Sequence, residues 1–183
     1  MPETGAVIVI ALRLLVPLLI FRWRLFGGIA SMIVDALDVV LIDAIGLGGF
    51  GGHYHQTDKV LDMYYLAIEF GIAAWTWSNP WERWPAIGLF AFRAIGAVLF
   101  EITQERIVLF MFPNLFENWW LYVVVVRKWW PGSRPKSMNT TAIPLLLLLI
   151  PKMGQEYLLH FSEAQPWNWT KEHILSFAVW TGR

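Results

Sequence analysis

The sequence predicts an all-α integral membrane protein: a compact bundle of about six transmembrane helices with a short C-terminal interfacial helix. Three observations lead there. Of the 183 residues, 57% are hydrophobic and 15% charged, where a soluble domain averages about half apolar and about a quarter charged; mean hydropathy is +0.50. Apolar stretches of membrane-crossing length recur along the chain, separated by short glycine, proline and polar punctuation. The 12 Trp and 12 Phe are a load of aromatic surface that promotes aggregation in water and that lipid accommodates.

Six spans are expected within one bundle domain, at roughly 5–22, 28–48, 59–77, 85–103, 107–126 and 141–161, each near the ~20 residues that cross the hydrocarbon core. The first is preceded by Pro2, Glu3 and Thr4 and followed by Phe21, Arg22, Trp23 and Arg24. A signal peptide has a basic start and a small-residue cleavage site, so a retained helix is expected. Gly27 and Gly28 open the second span and the glycines of 46–52 close it. Ser78, Asn79 and Pro80 part the third from the fourth, and the polar patch 101–106 parts the fourth from the fifth. Pro131, Gly132 and Ser133 lead towards the sixth. Residues 169–180 mix apolar and polar positions over too short a length to cross, which suits a helix lying along the interface.

Basic residues set the expected orientation. The loops after spans one, three and five carry Arg22, Arg24, Arg83, Arg127, Lys128, Arg134 and Lys136, against Lys59, Arg106, Lys171 and Arg183 on the other side. A multi-pass protein of the cell membrane is therefore expected, with both termini extracytoplasmic. Trp81, Trp84, Trp119, Trp120, Trp129 and Trp130 suit interfacial belts, with packing between helices as the alternative.

Some functions are set aside. Net charge is zero, so nothing points to nucleic acid as a partner. With no Cys, disulfides, thiol nucleophiles and Cys-ligated metals are excluded. No Ser/His/Asp order, glycine-rich phosphate loop or His-Glu-x-x-His motif occurs. Asp35, Asp38 and Asp43, with Asp58 and Asp62, are spaced in a way similar to the Asp-rich motifs of membrane prenyltransferases of the UbiA type. The Asn-Asp-x-x-Asp-x-x-x-Asp pattern is absent and six spans are too few, so no family is assigned.

Charge at membrane depth carries the information. Such groups cost several kcal/mol each, face the bundle interior and mark function. Span two holds Asp35, Asp38 and Asp43. In span three Asp58, Asp62 and Glu69, four and seven residues apart, share one face, with Tyr65 beside them. Span four holds Arg93, Glu101 and Glu105; span five Asn114, Glu117 and Asn118; span six Lys152, Glu156, His160 and Glu163, beside Pro151. His53 and His55 lie in the loop before span three.

Three readings fit. The first is a cation or proton path along Asp35, Asp38, Asp43, Asp58, Asp62, Glu69, Arg93, Glu101, Glu105 and Glu117, because crowded carboxylates in low dielectric exchange protons or hold cations. The second is a divalent metal ion (Mg, Mn, Ca, Zn or Fe) on Asp38, Asp62, Glu105, Glu156 and His160, in a membrane enzyme acting on a lipid or isoprenoid. The third is a non-catalytic subunit of a larger membrane complex, whose acids pair with Lys59, Arg93, Arg106 and Lys152. The expected partners are the lipid bilayer and either a second copy or a larger membrane assembly.

Overall fold

The computed structural model describes residues 4–37 and 54–158, and among these helix is the only regular structure. Helix α1 (Thr4–Leu15) passes into a 3-10 turn (Val16–Phe21) whose Pro17 has no N–H to give a longer helix. The chain then folds back into α2 (Arg24–Ala36). This reversal depends on Gly27: a Cβ there would stand 2.3 Å from the backbone nitrogen of Ile20.

Helix α3 (Tyr54–Thr76) leads to α4 (Pro80–Thr103). Asn79 caps α4 by accepting from the Trp81 N–H at 3.1 Å, with Pro80 at the first position, where its missing donor costs nothing. After α4 come a short α5 (Arg106–Met111), a break at residues 112–114, and α6 (Leu115–Trp129). A 3-10 turn (Pro131–Ser133) and the capping box of Ser137 and Thr140 then start α7 (Met138–Glu156).

Among the described residues, two segments are long and apolar enough to cross a membrane, the helix Pro80–Thr103 and the interrupted stretch Ile107–Trp129; Val7–Phe21 is apolar but shorter. Helix α3 has the length, but any window of 18 residues within it contains Lys59, Asp62 and Glu69. Helix α7 has an apolar middle between polar ends. The fifth expected span is not one continuous helix, because Pro113 and its neighbours interrupt it. The later half of the second span and residues 169–180 lie outside the described residues.

Helix α6 is the hub, touching α2, α3, α4 and α7. Phe116, Trp119, Trp120 and Val123 are buried there against Ile20, Leu66, Ala73, Trp77 and Ala86. Trp119 and Trp120 are thus core residues and not part of an interfacial belt. Each indole N–H is satisfied inside, Trp119 by the Glu82 carbonyl at 3.0 Å and Trp120 by the Glu69 carbonyl at 2.9 Å. Trp81, Trp84, Trp129 and Trp130 are exposed.

Candidate functional site

The break between α5 and α6 places two helix ends inside the bundle, and charged side chains answer both. At the C-terminal end of α5, the Phe112 carbonyl accepts from Arg93 Nη1 at 3.1 Å, so a cation meets the negative pole of that helix. Close packing makes this possible: a Cβ on Gly96 would lie 2.2 Å from Phe112 Cβ. At the N-terminal end of α6, the Asn114 N–H donates to Glu156 Oε1 at 3.2 Å, and Glu117 occupies the first turn. Carboxylates there meet the positive pole.

From these ends a polar network runs through the interior. Arg93 Nη2 also pairs with Asp62 at 3.3 Å. The Tyr65 hydroxyl donates to Glu117 Oε1 at 2.5 Å, and Asn114 Nδ2 donates to Glu117 Oε2 at 3.1 Å. Lys152 pairs with Glu156 at 3.0 Å across one turn of α7 and donates to Gln155 at 3.2 Å. Asp62, Glu69, Glu117 and Glu156 are all buried, against Arg93 and Lys152 as the buried cations among them. Four carboxylates face two cations, so the cluster carries an acidic excess.

Glu69 stands apart. It is 1% exposed, and neither carboxyl oxygen has a hydrogen-bond partner among the described residues. It shares a face of α3 with Asp62 and Tyr65. Gly28 of α2 leaves room for it: a Cβ on Gly28 would lie 2.7 Å from the Trp120 ring and 3.4 Å from Glu69 Oε1.

The positions expected from sequence divide as follows. Asp62, Glu69, Arg93 and Glu117 come together in this interior, with Glu156. Asp35 pairs with Arg13 of α1. Glu101 and Glu105 are exposed at the far end of α4 and at the start of α5, away from the network. The four-residue spacing that suggests one helical face is broken between them, where α4 ends at Thr103 and Gln104 turns left-handed. Asp58 lies in α3 by its backbone. Asp38, Asp43 and His160 lie outside the described residues, as do His53 and Glu163. Among the described residues, no three carboxylate or imidazole groups gather to hold a metal ion. Of the expected metal set, Asp62 is taken by Arg93, Glu156 by Lys152, and Glu105 is on the surface.

Sequence reasoning missed two partners. Arg13 is buried in the apolar run of α1, where a lone charge between Leu12 and Leu14 was the available signal. Glu82, in the first turn of α4, is fully buried and clamps two arginines. It accepts from Arg127 Nε at 2.8 Å, from Arg134 Nε at 2.7 Å and from Arg134 Nη2 at 3.1 Å. The hydrogen bond to Glu82 holds Arg134 above the ordinary guanidinium value. Asn79 Nδ2 donates to the Pro135 carbonyl at 2.7 Å, so the loop after α3 and the loop after α6 meet at this end.

No family model, curated protein or solved structure matches this chain.

Proposed function

We propose that this chain is a multi-pass membrane protein that binds or moves a proton or a small cation through its acidic interior. The observation that carries the reading is Glu69, a fully buried carboxyl with no hydrogen-bond donor among the described residues, set in a cluster where acids outnumber cations. An isolated carboxylate in such surroundings is neutralised by a proton or a cation. The lipid setting is supported by an inverted pattern of burial. Ile95, Val98 and Ile102 of α4 and Ile143, Leu146, Leu147 and Ile150 of α7 face outward, while Arg93, Lys152 and Glu156 of the same helices face inward. The broken helix supports it too, since interrupted helices at membrane depth place their poles against ions. With the basic loops in the cytoplasm, both termini are extracytoplasmic.

A second reading, a non-catalytic subunit of a membrane complex, is favoured by the ion pairs Arg13–Asp35, Arg93–Asp62 and Lys152–Glu156. Those pairs neutralise charge without needing a transported ion. Glu69 separates the two readings. In proteoliposomes under an imposed pH or cation gradient, the transport reading expects flux from the wild type, none above protein-free vesicles from Glu69→Gln, and full flux from the surface control Glu101→Gln. A folded wild type with no flux, or equal flux from Glu69→Gln, removes the transport reading.

A further inference from the structure

The end of the bundle that holds Glu82 also contains a cavity of ≈ 510 Å³ that neither the acidic interior nor the transport reading uses. Arg22, Arg24, Arg127 and Lys128 line it, and no acidic side chain does. The four cations come from two elements, the turn into α2 and the last turn of α6. Like charges gathered around one hollow repel one another, and an anion between them reverses the sign of that interaction. Local compensation is incomplete, because the single Glu82 carboxylate serves both Arg127 and Arg134.

Aromatic rings steady these cations without neutralising them. Arg127 lies 4.9 Å from the Trp77 ring centre, Arg22 5.6 Å from Trp23, and Lys128 5.2 Å from Trp129. Helix α2 also begins in this wall, and Trp23 at its cap position gives no side-chain acceptor to the first-turn N–H groups. Arg24, Leu25 and Phe26, whose N–H groups belong to that turn, all line the cavity. A helix pole and guanidinium forks together suit an anion with several oxygens arranged around one centre. Phe21, Trp23 and Phe26 leave large apolar rings exposed at the same place, as a group at the depth of lipid headgroups does.

We infer that this cavity binds a phosphate group, presented by the headgroup of an anionic phospholipid. The inference does not depend on Glu69, and a loss of transport leaves it untouched.

The test uses the full chain in detergent, with phosphatidylglycerol, phosphatidylcholine and inorganic phosphate as separate ligands, read by native mass spectrometry and by thermal unfolding. Phosphatidylglycerol is expected to bind and to raise the unfolding temperature, with phosphatidylcholine weaker by about tenfold or more. The double variant Arg22→Gln, Arg24→Gln is expected to lose most of that preference. Arg83→Gln, an exposed cation in the first turn of α4 that does not line the cavity, is expected to keep it. Should the double variant fold poorly, Lys128→Gln carries the same test from an exposed position. Equal binding of the two lipids overturns an anionic headgroup as the ligand, and an unchanged preference in a folded cavity variant overturns the site. Inorganic phosphate competing at the same concentration as the lipid overturns the lipid as the source of the phosphate group.

Discussion

Trp120 donates its indole N–H to the backbone carbonyl of Glu69 at 2.9 Å, yet the Glu69 carboxyl beside that ring receives no hydrogen bond among the described residues. The two side chains share the space left by Gly28. The backbone at this point is fully satisfied while the acid it carries is not. Several consequences of this arrangement and of the network around it can be measured.

Filling the space over Glu69 should displace the Trp120 ring and, through it, disturb the acid. In Gly28→Ala the new methyl carbon meets the far edge of the Trp120 ring, which must shift, and only touches Glu69 Oε1. A cost of about 1–3 kcal/mol is expected from overpacking, measured by thermal unfolding in detergent, together with slower ion exchange. An unchanged unfolding temperature and unchanged exchange would show that the ring does not confine the carboxyl.

Breaking the Arg93–Asp62 pair should be costly in a way that removing both partners is not. Arg93→Met strands Asp62 and frees the Phe112 carbonyl, for an expected loss of about 3–5 kcal/mol. Adding Asp62→Leu to Arg93→Met should recover a large part of that loss, because no uncompensated charge then remains buried. Unfolding curves for the two single variants and the double variant give the coupling directly, and strict additivity would mean that the pair is not coupled.

Glu82→Gln should loosen the basic end of the bundle. Arg127 and Arg134 keep part of their exposure, so the loss is expected to be smaller than for a fully buried pair, about 2 kcal/mol. Added salt should stabilise the variant relative to the wild type by screening the repulsion between the freed arginines. A variant as stable as the wild type at low salt would contradict the clamp.

The turn between α1 and α2 makes a backbone prediction. In Gly27→Ala the added carbon would sit 2.3 Å from the Ile20 nitrogen, and the displaced atom is main chain, so the reversal must open. Gly88→Ala meets nothing within 4 Å in the middle of α4. It should leave stability unchanged or raise it by up to about 1 kcal/mol. Equal stability of the two variants would refute the close approach.

Much of the interior was readable before the structure, and the reasons differ from residue to residue. Asp62, Tyr65 and Glu69 repeat at helical spacing, which fixes a shared face, and that face is buried. Glu101 and Glu105 have the same kind of spacing but sit near helix ends, where water is within reach. Pro113 breaks the fifth expected span, a signal that the reading of 107–126 as one helix does not use, and which charges meet the two helix ends depends on Gly96 admitting Phe112, a contact between helices that no local pattern encodes. Trp119 and Trp120 look like belt residues from composition alone; they are buried because α6 lies at the centre of the bundle. Arg13 was hidden by its isolation, since its partner Asp35 lies 22 residues away on the next helix.

The claim on which the rest depends is that the Glu69 carboxyl exchanges a proton or a cation. Infrared titration of the reconstituted protein, wild type against Glu69→Gln, tests it most directly. The account predicts a carboxyl signal that interconverts reversibly between its protonated and ionised forms as pH or cation concentration is changed, and that Glu69→Gln removes. Spectra that coincide for the two proteins across the whole titration would contradict it.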